Sequence, residues 1–164
     1  MRLFELTLIA ATLLCAVVAG FVFAFAAVVM PGIGTLDDRT FLRAFRAIDR
    51  VVQNNQPVFL LVWIGSVVVL LASAVLGFEQ LDGTGRVLMV AAVLAYLLGV
   101  QLPTVAINVP LNNTVQILRI DEMDETALGA ARQKFESRWI YWNVVRTVLA
   151  SLVSVLLLIV LLRL

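Results

Sequence analysis

Four long apolar stretches separated by polar connections set the pattern of this chain. They cover approximately residues 3–30, 57–78, 86–109 and 140–162. About 20 consecutive apolar residues let a helix cross the roughly 30 Å hydrocarbon core of a bilayer. Each stretch reaches that length, so the pattern predicts four transmembrane helices. The first continues to Met30 without a polar break, which favours a membrane span over a cleaved signal peptide.

Two of the three connections are long and amphipathic. In residues 35–52, apolar side chains recur at helical spacing, and arginines repeat that spacing two residues earlier. The apolar set is Phe41, Phe45, Ile48 and Val52, and the basic set is Arg39, Arg43, Arg46 and Arg50. Such a helix is suited to lie on a bilayer surface, with Asp37 or Asp38 capping its start. Residues 124–139 are a weaker version that leads directly into the fourth stretch.

These elements predict an all-α membrane protein. The fold is expected to be an antiparallel four-transmembrane-helix bundle, with interfacial amphipathic helices in the 1–2 and 3–4 connections and a single integral membrane domain over residues 1–164. Small residues at helical spacing, such as Ala16, Gly20 and Ala24 in the first span, would let helix backbones approach closely. Pro103 and Pro110 are most simply interpreted as kinking and ending the third span.

Composition excludes several classes of function. The 164 residues are 62% hydrophobic with a mean hydropathy of +1.04, which exceeds what soluble domains of this size carry. A net charge of +1 gives no basis for a nucleic-acid partner. The chain has no histidine, so histidine-based general base chemistry, histidine-ligated haem and the usual zinc or copper sites are excluded, and no metal site is expected. Cys15, the single cysteine, permits neither an intramolecular disulfide nor a CxxC pair.

Basic residues near the spans predict the orientation of the chain. Eight lie in the two long connections: Arg39, Arg43, Arg46, Arg50, Arg119, Arg132, Lys134 and Arg138. Three lie on the opposite side: Arg2, Arg86 and Arg163. We therefore expect a multi-pass protein of the inner or plasma membrane, with cytoplasmic long connections and both termini outside.

Unusual polar residues gather at the span ends that share one face of the predicted bundle. They occur in "VQNNQPVF", "TVAINVPLNN" and "WIYWNVVRT". Taken singly, the asparagines can be helix caps, the prolines helix ends, and the tryptophans an interfacial aromatic belt. Taken together, they predict one polar pocket. Its candidate residues are Asn54, Asn108, Asn112, Asn113, Trp139, Trp142 and Asn143.

Arg146 is harder to explain as a structural residue. It lies about six residues inside the fourth span, roughly 9–10 Å below the boundary. An arginine at that depth costs several kcal/mol unless it snorkels to the surface, meets a polar partner or faces a wet cavity. Asn143 lies one turn away on the same side, so an Asn–Arg pair could point into the bundle toward Asn108, Asn112 and Asn54. Such a pocket would suit a hydrophobic molecule with a carbonyl, phenolate or enolate oxygen.

Four segments together resemble a known family. "GFVFAFAAVVMPGI", "QNNQPVF", "NVPLNN" and "WNVVRT" are similar to segments of the small four-helix membrane family that includes the fungal anthrone oxygenases, over roughly residues 20–150. The resemblance implies oxidation of an anthrone to an anthraquinone with O₂ and no metal or organic cofactor. It also implies that the candidate residues line the site and that Arg146 holds the enolate oxygen. No general base is evident, because the place of Asp49 in a basic helix favours a salt bridge.

Two functions remain open from the sequence. The first is a membrane-embedded, cofactor-independent monooxygenase that acts on a lipophilic, anthrone-like aromatic. The alternative is a non-catalytic protein that binds small hydrophobes or a partner membrane protein. A transporter is disfavoured because the chain has no evident inverted repeat. The expected partners are membrane lipid, a lipophilic small molecule and a second copy of the chain.

Overall fold

A computed structural model describes residues 3–164, and over these residues the fold consists of helices joined by short connections, with no strands. Its five helices are α1 (Leu3–Gly34), α2 (Asp38–Gln53), α3 (Pro57–Gly77), α4 (Gly83–Gln116) and α5 (Glu125–Leu162). All except α2 are long and apolar enough to cross a membrane. The prediction of an all-α, multi-pass membrane protein is therefore confirmed. Arg2, which entered the orientation count, lies outside the described residues.

Neighbouring long helices run antiparallel. Helix α1 packs against α3 and α5, and α4 packs against α5. The Phe4 ring, near the start of α1, lies beside Gly77 at the end of α3. Arg163, just after α5, donates to Asp82, just before α4, at 2.7 Å. These contacts give the predicted antiparallel bundle.

The close-packing face of α1 differs from the predicted one. Ala16, Gly20 and Ala24 are exposed on the outer surface of the bundle. The buried residues of α1 instead include Phe4, Leu8, Ala11, Cys15, Val18, Ala19 and Val22. This set follows the heptad-like spacing of a helix–helix seam, in which large and small side chains alternate. The packing face was wrongly predicted because a stripe of small residues does not by itself define the seam.

Helix α4 continues through both of its prolines, so the expectation that they end this helix is wrong, and the membrane boundary near residue 109 stays a prediction. Wide π-helical turns at Leu97–Gln101 and Thr104–Asn108 flank Pro103, and Pro110 follows the second turn. A π turn accommodates the missing proline N–H within a continuous helix, which then runs to Gln116. A similar turn interrupts α1 at Phe25–Val29.

In the polar segment between α2 and α3, different residues end the first helix and cap the second. Asn54 ends α2, and Asn55 adopts a left-handed conformation with φ of 57°. The Gln56 side chain caps α3 by accepting from the Phe59 N–H at 2.5 Å, and Pro57 occupies the first turn. The asparagines therefore close α2, whereas a glutamine caps α3.

The apolar face of α2 packs on protein. Phe41, Leu42 and Phe45 are buried against α5, and the rings of Phe45 and Phe135 lie 4.5 Å apart. Trp139 meets Phe45 edge-on at 5.5 Å. This face is therefore covered by α5 rather than by lipid, and a location of α2 at the membrane surface stays a prediction.

Three arginines of α2 hold the connection between α4 and α5. Arg39 donates to the backbone oxygen of Ile120 at 2.6 Å, and Arg46 donates to that of Leu118 at 2.8 Å. Arg43 forms an ion pair with Asp121. These three contacts fix α2 to the neighbouring connection.

Candidate functional site

A cavity of about 240 Å³ lies at the end of the bundle where the polar residues gather. All five helices contribute to its walls. The aromatic lining is Phe21, Phe25, Phe45, Phe59, Trp63 and Trp139, and the polar lining is Asp49, Thr104, Asn108, Asn112, Asn143 and Arg146. Mostly aromatic walls with a few convergent polar groups are typical of a small-molecule site.

Arg146 points into the bundle and does not snorkel. Its guanidinium donates to Asn143 Oδ1 at 2.9 Å and to Thr104 Oγ1 at 3.0 Å. The residue is only 5% exposed. Arg146 lines the cavity, and its buried Nε has no hydrogen-bond partner among residues 3–164. A bound oxygen atom could accept from this unused donor.

Two asparagines complete this polar end of the cavity. Asn143 Nδ2 donates to the backbone oxygen of Val22 at 3.0 Å, which directs its Oδ1 toward Arg146. Asn108 Nδ2 donates to the backbone oxygen of Trp139 at 3.3 Å. The Oδ1 of Asn108 is buried and has no partner within the described chain. This end, which we call the arginine end, therefore presents one free donor and one free acceptor.

The Trp139 indole lies between the arginine end and a second polar cluster. The Arg146 Cζ is 5.9 Å from the centroid of the indole ring. The indole Nε1 donates to Asn112 Oδ1 at 2.7 Å, and Asn112 Nδ2 donates to Asp49 Oδ1 at 2.7 Å. Asp49 and Asn112 form what we call the aspartate end of the cavity.

Asp49 is buried, with 6% exposure, and carboxamides surround its carboxylate. In addition to Asn112, Gln116 donates to Asp49 Oδ2 at 2.7 Å and Gln53 donates to it at 3.3 Å. No basic side chain of residues 3–164 lies within ion-pair distance of this carboxylate. The expected salt bridge is therefore wrong, because Asp49 lies on the apolar face of α2 and the arginines point away.

A model of the anthrone oxygenase family matches residues 45–156. The chain belongs to the anthrone oxygenase family. The matched range contains both ends of the cavity, from Asp49 to Arg146. Neither a curated protein nor a solved structure matches the chain.

Five of the eight residues predicted from the sequence come together in this family member. Asn108, Asn112, Trp139, Asn143 and Arg146 all line the cavity. Helical periodicity explains the grouping: residues 108 and 112 are one turn apart on α4, and residues 139, 143 and 146 follow one stripe of α5.

The other three predicted residues do not line the cavity. Asn54 is exposed at the end of α2. Asn113 is also exposed, and its Oδ1 accepts from Gln53 at 3.0 Å. Trp142 lies off the α5 stripe and packs edge-on against Tyr141, with 5.6 Å between ring centroids.

Most of the aromatic wall was not predicted. Phe59 and Trp63 stack at 5.2 Å, and Phe21 packs against both rings. The signal was present as i, i+4 aromatic pairs, with Phe21 and Phe25 on α1 and Phe59 and Trp63 on α3. In an apolar span such pairs do not stand out from ordinary lipid-facing or core residues.

The site also reaches the lipid-facing surface of the bundle. Val105 lines the cavity and is 68% exposed. A second cavity, of about 330 Å³, shares Phe21, Phe59 and Trp63 with the first. Its walls include Val58, which is 62% exposed on the outer surface. A lipophilic molecule could therefore approach from within the bilayer.

Proposed function

We propose that this member of the anthrone oxygenase family oxidises a lipophilic, anthrone-like aromatic with O₂, without a metal or organic cofactor. The observation that supports this most is the buried Arg146 guanidinium, which offers an unused Nε to a cavity walled by six aromatic rings. Family membership supports the reaction class. Aromatic walls favour a flat ring system through stacked and edge-on contacts.

The reaction needs an acidic C–H group. Loss of a methylene proton from an anthrone gives an aromatic anion whose charge lies on the former ketone oxygen. This anion gives one electron to O₂, and the carbon radical and superoxide combine to form a peroxide anion. The proton lost in the first step converts this anion to a hydroperoxide. Loss of water from the hydroperoxide leaves a second carbonyl, so that CH₂ and O₂ become C=O and H₂O. Arg146 would stabilise the oxygen anion that starts this sequence.

The arginine end fits a particular pair of substrate groups. Arg146 Nε can donate to a ketone or enolate oxygen, and Asn108 Oδ1 can accept from a hydroxyl. A ketone with a neighbouring phenolic hydroxyl carries both groups in adjacent positions. We therefore expect hydroxylated anthrones to bind better than anthrone itself.

Purified protein incubated with emodin anthrone in air tests the proposal. We expect O₂ uptake and quinone absorbance above the spontaneous rate. Arg146→Met should lower the rate roughly 100- to 1,000-fold, as removal of an oxyanion donor does elsewhere. Arg146→Lys, which keeps the charge, should retain part of the activity. Arg119→Met is the matched control, because Arg119 is 80% exposed and lies outside the cavity.

The alternative function has a distinct outcome. Quenching of tryptophan fluorescence by the anthrone, with no acceleration of its oxidation for several anthrones, would indicate a non-catalytic binder and overturn the proposed reaction. Unfolding of each variant must be measured in parallel, since Arg146→Met leaves Asn143 Oδ1 without its donor.

The same proposal includes an orientation. We infer that the long connections face the cytoplasm in the inner or plasma membrane, which follows from the basic-residue count. Ala47→Cys on α2 should resist an impermeant thiol reagent in intact cells, whereas Thr84→Cys, at the opposite face, should be labelled. Both positions are exposed, and the native Cys15 is fully buried. The reverse labelling pattern would invert the orientation.

A further inference from the structure

We infer that Asp49 is the general base that removes the methylene proton of the substrate, an inference that rests on the proposed function. Asp49 lines the same cavity as Arg146 and is its single carboxylate among the described residues. Anion formation needs a proton acceptor within hydrogen-bond reach of the reacting carbon. The chain has no histidine, so a carboxylate is the natural group for this role.

The surroundings of Asp49 keep its carboxylate oriented without an ion pair. A buried carboxylate is costly unless hydrogen bonds satisfy it. Three carboxamides supply those bonds: Asn112 to Oδ1, and Gln116 and Gln53 to Oδ2. A direct arginine partner would hold the negative charge more strongly and make the group a weaker base.

The hydrogen bonds also leave a position for the substrate proton. An ionised carboxylate has about four lone-pair sites. Oδ2 uses both of its sites for Gln53 and Gln116, and Oδ1 uses one for Asn112. The remaining site on Oδ1 is therefore available to a C–H group in the cavity.

The two ends of the cavity match the two reacting ends of an anthrone. In that ring system the ketone and the methylene lie opposite each other across the central ring. A ketone oxygen at Arg146 directs the methylene away from the arginine end, along the Trp139 indole. Trp139 connects to Asp49 through Asn112, with 2.7 Å for each hydrogen bond. The aspartate end is thus where the acidic hydrogen would lie.

The proton transfers balance over the reaction. Asp49 Oδ1 takes the first methylene proton while the C–H electron pair forms the enolate double bond and charge moves to the oxygen at Arg146. After O₂ has joined the carbon, protonated Asp49 returns this proton to the peroxide anion. It then takes the second hydrogen as a proton while the O–O bond breaks. Hydroxide leaves and becomes water with that proton, which regenerates the carboxylate.

Deuterium exchange under argon isolates the proposed step. Emodin anthrone is incubated with protein in D₂O, and methylene deuterium is followed by mass spectrometry. Wild-type protein should accelerate exchange, and Asp49→Asn should lower the acceleration at least roughly 100-fold, as loss of a general base does. The substrate should still bind, as shown by tryptophan quenching. Asp121→Asn is the matched control, because its carboxylate is 76% exposed and bonds Arg43 outside the cavity.

Asp49→Glu keeps the negative charge, so it still tests the role of Asp49 if Asp49→Asn fails to fold. Moving the carboxylate by one methylene should slow exchange by about 10-fold or more, with binding retained. Wild-type exchange that persists in both variants overturns the role of Asp49 and leaves the oxygenase proposal intact. Wild-type protein that binds the anthrone but accelerates neither exchange nor oxidation overturns both.

Discussion

Arg132 fixes the position of α2, and its replacement by methionine is expected to loosen that helix. Arg132 lies on α5 and donates to the backbone oxygens of Gly34 and Leu36, each at 2.8 Å. These carbonyls end α1 and begin the connection to α2. The guanidinium also lies 4.2 Å from the centroid of the Phe41 ring, whose side chain belongs to the buried face of α2.

Two carboxylates complete the environment of Arg132. It pairs with Asp38 at 3.1 Å and with Glu136 at 2.7 Å. The arginine side chain is 16% exposed, and the two carboxylate side chains are 37% and 23% exposed, so solvent screens the pairs in part. The charged hydrogen bonds to backbone contribute about 1.5 kcal/mol each at the low end, and the screened pairs contribute about 1 kcal/mol together. Contributions in one network are not additive, so we expect Arg132→Met to lower the free energy of unfolding by about 2–4 kcal/mol.

Arg119→Met provides the comparison for this measurement. Arg119 is 80% exposed and, among residues 3–164, forms an ion pair only with Glu122, so its replacement should change stability by less than about 0.5 kcal/mol. Denaturant unfolding in detergent micelles gives the two values, and limited proteolysis between α1 and α2 reports local loosening. If the two variants have equal stability and are cleaved equally, Arg132 does not fix the position of α2.

Two further predictions concern residues that do not line the cavity around Arg146. The hydroxyls of Ser66 and Tyr96 are buried and 2.6 Å apart, so a Ser66→Ala/Tyr96→Phe double-mutant cycle should give a coupling of about 0.6–1.7 kcal/mol in unfolding; additive effects would contradict the bond. Hydrogen bonds from Gly85 N–H and Arg163 lower the pKa of Asp82 from its usual 3.8, so its stabilisation is present above that value and is lost as the pH falls through the lowered pKa. Asp82→Asn should therefore flatten the acid limb of thermal unfolding below about pH 4, and an unchanged limb would exclude Asp82 as a contributor.

Span positions and the polar end of the bundle could be predicted because they depend on local sequence. Apolar length sets the helices, and the 3.6-residue period places Asn108 with Asn112 and Asn143 with Arg146. The cost of exposing a guanidinium to hydrocarbon left snorkelling, a polar partner or a wet cavity open for Arg146, and the structure shows polar partners inside the bundle. Each of these inferences uses only neighbours on one helix and the properties of the bilayer.

The environment of α2 could not be predicted in the same way. Its amphipathic pattern indicates that one face is apolar. Either lipid or the aromatic surface of α5 could cover that face, and the pattern does not distinguish them. Arginines of α2 find partners near residues 117–125, more than 70 positions later in the chain. A signal for Asp49 was nevertheless present, since it lies one turn after Phe45 on the apolar face, where a carboxylate needs a specific reason.

Neutral polar side chains explain how one small site can hold two opposite charges without pairing them. Arg146 is held by Asn143 and Thr104, and Asp49 is held by Asn112, Gln116 and Gln53. Were the two charged groups paired directly, each would neutralise the field of the other, and a buried pair gains little after desolvation. Neutral partners orient both groups without cancelling their charges, and the Arg146 Nε still has no partner among the described residues. A substrate between them would meet a positive end at its oxygen and a negative end at its acidic hydrogen, which is the polarisation that enolate formation requires.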